Sequence, residues 1–534
     1  MRNLRVAFGQ TNPVVGDFRH NLAQIELCMQ QASGSADLLV FGELALCGYP
    51  LGDLSYRRDV IDASEMALSK LTALTEEYAD LTIVVGHVSH VSGKLAQSQE
   101  SFAIAHNSAS AIRAGEVLAT YHKQLLPNFD VFDDWRNFVP GHDEAIFEVA
   151  GTKCAIAICQ DIWATDSPRP RHLNASGVEL LIVPNGSPFE QGKRSTRIQA
   201  ARNFQDGFAI AYSNLTGGQD ELVFDGGSFL LSSTGEVEFQ GGITPGTHFA
   251  FGASTFESDE ELLWNALVIG LRDYLAKTGQ SSVILGLSGG IDSALSAAIA
   301  ADAIGPENVY GVALPSRHSS DHSLADAEAV ARNLGLNYSI VEIDSAHKAF
   351  EELVELSDLA GENIQARIRA VILMGISNSS GHLLLSTGNK SEIAVGYSTM
   401  YGDSAGGFAP IKDLYKTEVW ALSRWLNESR GMELIPWNSI SKPPSAELRP
   451  GQLDQDSLPD YPLLDRVIKL LIEKSMTVSD VAATGIDRES VESIDAMIRR
   501  AEWKRSQGAI GTKVSAVAFG SGRRVPLTTR FEKL

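Results

Sequence analysis

The sequence predicts a layered α/β protein in two domains, with β-sheets covered by helices. Three observations predict it. Short apolar runs alternate with amphipathic helical stretches along most of the chain. The alternation breaks once, around residues 240–260, in the aperiodic Gly-, Ser-, Thr- and acid-rich stretch GGITPGTHFAFGASTFESDEE, and then restarts as regular strand–helix units. The length, 534 residues, also exceeds what one core organises.

In the first half the apolar runs Leu4–Gln10, Asp37–Gly42, Leu81–Val88, Cys154–Cys159, Glu179–Pro184 and Phe208–Ser213 read as strands. Helical periodicity falls between them, at Asn21–Gln31, Ala63–Tyr78 and Lys193–Gln205. Two more runs, Ser101–His106 and Glu221–Leu231, read as strands with no helix between them and their neighbours. The domains are expected at residues 1–252 and 262–534, with 253–261 as the linker.

The second half opens on a helix pattern, Leu262–Lys277, then a buried-strand run, Ser282–Leu287. A Gly-rich turn and the Ala-rich helix Ser293–Ala303 follow. Next come strand Val309–Leu314, helix His322–Leu334, strand Tyr338–Ile343, helix Ile364–Ser377 and strand His382–Ser386. Repeated βα units of this kind build a doubly wound parallel sheet. After Lys442 the prolines 443, 444 and 450 mark a loop, and two short helical patterns close the chain.

Composition narrows the function classes. With 44 Lys+Arg against 66 Asp+Glu the formal net charge is −22, which disfavours nucleic acids and anionic membranes as partners. The four cysteines (Cys28, Cys47, Cys154, Cys159) form neither a disulfide framework nor a CxxC zinc pair, so a reducing compartment, the cytoplasm, is expected. No run approaches the ~20 apolar residues of a membrane span, and the N-terminus has no signal-like stretch.

The strongest motif is Gly286-Leu287-Ser288-Gly289-Gly290-Ile291-Asp292-Ser293, between a strand and a helix. Adjacent glycines turn the backbone tightly, and the N–H groups and dipole of the helix start converge on an anion. Ser288 and Ser293 can add hydroxyl donors. A carboxylate at Asp292 suits a phosphate site if a hard cation such as Mg²⁺ bridges the two. No lysine follows the glycines, so this is not a GxxxxGK[ST] loop. The run resembles the N-type ATP pyrophosphatases, which cleave ATP between its α and β phosphates.

Further runs extend the resemblance: Leu385-Ser386-Thr387-Gly388-Asn389-Lys390-Ser391-Glu392, Tyr397–Asp403, Ala409–Lys416 and Glu362–Arg369. With them, residues 262–534 resemble the NAD synthetases. The resemblance implies a Rossmann-like sheet. ATP would lie on Gly286–Ser293, with Thr387 and Lys416 as further contacts and Mg²⁺ on Asp292 and Glu392. Deamido-NAD would lie among Asn363, Arg367, Glu392, Asp403 and Lys504. Met400 stands where relatives often carry lysine.

Three separated residues in the first half suggest amide cleavage. Cys159 closes a strand, as a nucleophile would; Lys123, in YHKQLLP, can stabilise a thiolate or an oxyanion; Glu43, in VFGEL, can take and return a proton. Cys154, five positions earlier on the same predicted strand, is expected to face the other way. The triple in its context resembles the carbon–nitrogen hydrolase, or nitrilase, superfamily over roughly residues 3–250. That resemblance implies an α-β-β-α sandwich with Glu43 as base, Lys123 as charge stabiliser and Cys159 as nucleophile. The run Pro184–Phe189 with Gly192-Lys193 resembles the glutamine-binding part of the glutamine-dependent NAD synthetases, and implies that Ser187 and Lys193 hold glutamine. Phe129, in a third glutamine-binding position, replaces a frequent tyrosine, and Cys159-Gln160-Asp161 replaces a usual CED. A further acid falls at Asp133 or Asp134.

The resemblance implies a glutaminase feeding ammonia by a sheltered route to an ATP- and Mg²⁺-dependent amidation of deamido-NAD, the last step of NAD biosynthesis. It also implies a homo-oligomer assembled through the synthetase domains. The alternative is another glutamine-dependent ATP pyrophosphatase-type amidotransferase acting on a different carboxylate; a third reading is a binding protein that has lost turnover.

Overall fold

Strands buried on both faces read as unbroken apolar runs, and such strands make the first of two units, Met1–Leu262 and Leu263–Leu534. The computed structural model describes residues 4–91 and 103–529. In the first unit these include β1 (Val6–Gln10), β2 (Leu38–Phe41), β3 (Thr82–His90), β4 (Ala105–Arg113), β5 (Glu116–His122), β6 (Ile146–Val149) and β7 (Thr152–Ile156). Then come β8 (Leu180–Asn185), β9 (Ala209–Asn214), β10 (Thr216–Gln219), β11 (Leu222–Asp225), β12 (Phe229–Leu231), β13 (Val237–Gln240) and β14 (Gly246–Phe249).

Two six-stranded sheets result, ordered β14-β1-β2-β3-β4-β5 and β13-β12-β9-β8-β7-β6, with β10 and β11 as a separate hairpin. Alternation along the strands explains the layers. Val6, Phe8, Leu38 and Val40 meet Leu180, Ile182, Ala209 and Ala211 between the sheets. Their neighbours Ala7, Leu39 and Phe41 pack with Ile25 and Met29 of helix Phe18–Ala32 and with Ile61 and Leu71 of helix Arg58–Leu74. Leu181, Val183, Ile210 and Tyr212 pack with Ala201 and Phe204 of helix Lys193–Phe204. The layers are therefore α-β-β-α.

Several expectations need correction. The strand expected at Ser101–His106 begins at Ala105 and runs to Arg113; residues 101–102 lie outside those described. The run Glu221–Leu231 is two strands, split where Gly226 (φ +56°) and Gly227 (φ +65°) turn the chain. β7 ends at Ile156 rather than at Cys159. Strict alternation therefore stops before Cys159, and Cys154 and Cys159 fall in the same inter-sheet cluster.

The second unit begins within helix Asp259–Thr278, whose first-turn acids Asp259, Glu260 and Glu261 favour a helix N-terminus. Its sheet contains β15 (Val283–Gly286), β16 (Val309–Ala313), β17 (Asn337–Ile340) and β18 (Leu383–Leu384), all parallel, in the order β17-β16-β15-β18. The chain winds outward from β15 to β17 and returns on the other side of β15. The winding direction reverses between β15 and β18, where open α/β sheets bind ligands beyond the strand ends. Ile284, Val312 and Leu384 pack under Ile368 and Leu373 of helix Asp358–Ser380. Helix Ile291–Ile304 is apolar nearly all round and correspondingly buried. The closing helices Tyr461–Ile468, Val478–Ala483 and Arg488–Arg500 form their own cluster around Leu464, Val481 and Ile494. No helix among the described residues is long and apolar enough to cross a membrane.

Candidate active sites

Glu43 follows β2, Lys123 follows β5 and Cys159 lies three residues past β7; all three are buried. Lys123 Nζ donates at 2.6 Å to Glu43 Oε1 and at 2.6 Å to Asp134 Oδ2, which settles the further acid as Asp134. Glu43 also accepts Asn107 Nδ2 at 2.7 Å and the Gly186 N–H at 2.9 Å. Tyr49 Oη donates to Asp134 Oδ1 at 3.1 Å. Burial alone would lower the Lys123 ammonium, but Asp134 and Glu43 outweigh it and hold it well above the ordinary lysine range. Burial lifts the Asp134 carboxyl by more than Lys123 pulls it down.

One ammonium thus serves two carboxylates, and a further negative charge is unwelcome. Burial pushes the Cys159 thiol far up, the Glu43 carboxylate it hydrogen-bonds adds to the rise, and Lys123 opposes it only in part. Lys123 is shared between the two acids, and Glu43 is the carboxylate beside the thiol. Cys159 has φ +43°, a left-handed conformation rare outside glycine, at the head of the tight turn Cys159–Ile162.

Asp161 holds that turn. Its Oδ2 accepts the Ile158 N–H and Tyr121 Oη, each at 2.9 Å; its Oδ1 accepts the Leu125 N–H at 2.8 Å and the Gln124 N–H at 3.2 Å. One buried carboxylate therefore ties the Cys159 turn to the chain just past Lys123. Backbone anchoring falls to Asp161, not to position 160, where Gln160 stands.

Of the residues expected at glutamine, Ser187 is buried, and its Oγ accepts Arg197 Nε at 3.0 Å. Arg197 is itself matched by Asp225 at 2.7 Å. Lys193 opens helix Lys193–Phe204 and lies 3.4 Å from Glu190. Phe129 is 56% exposed, its ring edge-on to Phe132, and no contact among the described ones ties it to the triad.

In the second unit the Gly286–Ser293 run forms the turn from β15 into helix Ile291–Ile304. Gly289 has φ +73°, and a Cβ there would stand 2.2 Å from the Ser323 carbonyl oxygen, so glycine is required. The turn is bonded internally: Ser293 Oγ donates to the Gly290 carbonyl at 3.0 Å and the Gly290 N–H donates to Ser288 Oγ at 3.2 Å. Beyond the ends of β15 and β18 lies a cavity of about 380 Å³, walled in part by Ser288, Asp292, Thr387, Glu392 and Lys416. That is within the size range of small-molecule sites.

Two acids and a lysine converge on this cavity. Lys416 Nζ donates to Asp292 Oδ2 and lies 3.5 Å from Glu392 Oε1. Asn389 joins the acids: its Nδ2 donates to Asp292 Oδ1 at 3.0 Å, and its Oδ1 caps helix Lys390–Val395 by accepting the Glu392 N–H at 3.0 Å. Burial, reinforced by Asp292, pushes the Glu392 carboxyl up to about 8. The oxygen donors of two adjoining carboxyl groups are the hard ligands that fit Mg²⁺. No group of three or more His, Cys, Asp or Glu among the described residues is placed to hold a metal ion by itself.

Asp403 and Lys504 also wall the cavity. Asn363 and Arg367 are not among its lining residues. They brace the neighbouring loop instead: Asn363 Oδ1 accepts Thr399 Oγ1 at 2.8 Å, and Arg367 Nε donates to the Met400 carbonyl at 3.2 Å. Sequence reasoning gave no role to Asn107, Asp161 or Asn389, whose hydrogen bonds define both sites.

Fold and sites together define a two-headed enzyme, an amide hydrolase joined to a nucleotide-dependent synthase. The carbon–nitrogen hydrolase family matches residues 5–243 and the NAD synthase family residues 263–508. The glutamine-dependent NAD(+) synthetase of Thermotoga maritima is 39% identical across the whole of both chains. That of Acinetobacter baylyi is 40% identical over 99% of this chain and 98% of its own. Among solved structures, the Acinetobacter baumannii glutamine-dependent NAD+ synthetase in complex with ADP matches with a TM-score of 0.75 at 36% identity, over 98% of each chain. A Cytophaga hutchinsonii synthetase shares the fold with a TM-score of 0.84 at 21% identity, again over 98% of each chain. The chain belongs to the glutamine-dependent NAD(+) synthetases.

Proposed function

We propose that each unit carries one half of a glutamine-driven amidation of deamido-NAD to NAD. In the first, Cys159 Sγ attacks the side-chain amide carbon of glutamine as Glu43 takes its proton. Glu43 returns the proton to the departing nitrogen, ammonia leaves, and water cleaves the Cys159 thioester to glutamate. Two of the three Lys123 ammonium protons are held by Glu43 and Asp134, which leaves the third for the developing oxyanion. Ser187, Lys193 and Phe129 surround the amino-acid end of glutamine.

In the second unit, Gly286–Ser293, Thr387 and Lys416 hold ATP. The nicotinate carboxylate of deamido-NAD, held near Glu392, Asp403 and Lys504 with Asn363 and Arg367 bracing the adjoining loop, attacks the α phosphorus and expels pyrophosphate. Ammonia then displaces AMP from the adenylate to give NAD. Asp292 and Glu392 would hold Mg²⁺, which would supply charge neutralisation at the phosphates. Lys416, whose ammonium is kept by Asp292 and Glu392 against its own burial, faces the same charge.

The observation that carries this reading is that two chemically distinct acid–lysine clusters, one beside a cysteine and one beside a phosphate-type loop, occur on one chain. The protein is read as a cytoplasmic homo-oligomer assembled through its second units; exposed Leu359, Val371 and Met374 on helix Asp358–Ser380 support assembly there.

Cys159→Ala tests the division of labour. With Mg-ATP and deamido-NAD it should make NAD, AMP and pyrophosphate from ammonium, and none from glutamine. Equal loss of both activities in a folded protein would overturn the two-site assignment.

A further inference from the structure

Asn107 lies on β4, wholly inside the first unit, with 1% of its surface exposed. It grips two members of the triad at once. Its carbonyl accepts the Lys123 N–H at 2.8 Å, and its Nδ2 donates at 2.7 Å to Glu43 Oε1, the oxygen that also accepts Lys123 Nζ. Its Oδ1 is buried with no hydrogen-bond partner among the described residues.

An unpaired buried acceptor destabilises a fold, and an apolar side chain of the same size would remove it together with the donor. Turning the amide over would bring Oδ1 against an ionised Glu43 oxygen, acceptor against acceptor. The unpaired Oδ1 is thus the consequence of keeping an N–H on the carboxylate. The titratable groups facing Glu43 are Lys123 at the end of β5, Asp134 on the short helix Asp134–Asn137, Cys159 on its turn and Tyr49 beyond β2. Among these Lys123 donates to Glu43 but is shared with Asp134. The Asn107 amide and the Gly186 N–H are not shared in that way.

We propose that Asn107 is a positioning residue of the glutaminase: by donating to Oε1 it fixes the Glu43 carboxylate in readiness for the Cys159 proton. The proposal rests on Glu43 being the proton acceptor.

The test is Asn107→Leu in the full chain, read by the steady-state kinetics of glutamine hydrolysis, ammonium-driven NAD synthesis and thermal unfolding. Loss of a hydrogen bond to the carboxylate lowers kcat/KM for glutamine about tenfold. The loss falls on kcat, with KM for glutamine at the parent value, because the group displaced handles the proton and not the substrate. Ammonium-driven synthesis stays at the parent value, and the melting temperature is unchanged or raised, since the unpaired acceptor goes too. A parent-like kcat would overturn the proposal. So would a glutaminase loss that tracks a lower melting temperature or falls on KM alone. Asn107→Ala, which adds no bulk, reads the same split if leucine prevents folding. Glu43→Gln separates the two levels: retained hydrolysis there sinks the proton-acceptor reading itself, whereas its loss beside a parent-like Asn107→Leu sinks this inference alone.

Discussion

Gly289→Ala is the sharpest test of the phosphate loop, because two separable costs meet there. The first is conformational. At φ +73° an alanine sits in the left-handed region, which costs about 1 kcal/mol. The second is steric. The new methyl would lie 2.2 Å from the Ser323 carbonyl oxygen and 3.1 Å from Asp326 Cβ, so backbone has to move by roughly 1 Å to restore ordinary contact; overpacking of that kind adds about 1–3 kcal/mol. Gly381→Ala isolates the first cost, since Gly381 has φ +76° and nothing within 4 Å of its Cβ position. Calorimetry of the second unit's transition should show about 1 kcal/mol lost for Gly381→Ala and about 2–4 kcal/mol for Gly289→Ala. A 1 Å displacement of phosphate-binding N–H groups should also cost about a hundredfold in kcat/KM for ATP in ammonium-driven synthesis. Gly381→Ala should leave those kinetics alone, and both variants should hydrolyse glutamine normally. If Gly289→Ala matched Gly381→Ala in stability and in ATP kinetics, the loop would not be the phosphate cradle described.

Two further outcomes are expected. Asp161→Ala leaves the donors of Tyr121, Gln124, Leu125 and Ile158 without their acceptor; the first unit should lose about 3 kcal/mol or more and glutamine hydrolysis should fall, while ammonium-driven turnover persists, and unaltered hydrolysis kinetics would refute the anchoring role. Burial holds His87 down to about 4 against an ordinary 6.5, so the folded state binds fewer protons than the unfolded one between those values. Stability is then complete above pH 6.5 and declines as pH falls towards 4, by about 2 kcal/mol between pH 7 and 5. Unfolding of the parent and of His87→Asn at both pH values measures it, and an equal decline in the two proteins would count against the assignment.

The legible parts of the fold were those written locally. Leu38, Val40 and Leu39, Phe41 alternate between two cores, so a continuous apolar run already reports a strand covered on both sides. The loop after β15 was legible because glycine pairs, a strand and a helix start coincide within eight residues. β5 was missed because it is an edge strand with an exposed first half and no apolar run to mark it. β14 was missed because its four residues are all half-buried, and its place beside β1 is set by pairing across more than two hundred residues. The same reason hid Asn107 and Asp161. Asn107 and Glu43 are 64 residues apart, and an asparagine in a strand or an aspartate in a turn carries no local mark of the partner it will meet. The motif residues could be read from spacing; the residues that orient them could be read only from the packed sheets.

The two sites use one device for opposite ends. Each places a single lysine ammonium between two carboxylates. In the first unit the side chains of Lys123 and Glu43 are wholly enclosed and Asp134 nearly so, and donors from Lys123, Asn107, Gly186 and Tyr49 occupy the carboxylate oxygens. Such a cluster can shift a proton but has little freedom to take on a cation, and its carboxylates add to the burial that pushes the neighbouring thiol up. In the second unit Lys416 is as buried as Lys123, but Asp292 and Glu392 each keep 18% of their side-chain surface open, and both wall the cavity. The same arrangement there faces a space of nucleotide size, where a divalent cation and phosphate oxygens can complete it. On the proposed reading, enclosure rather than the identity of the charged groups suits one cluster to proton transfer and the other to a metal–nucleotide.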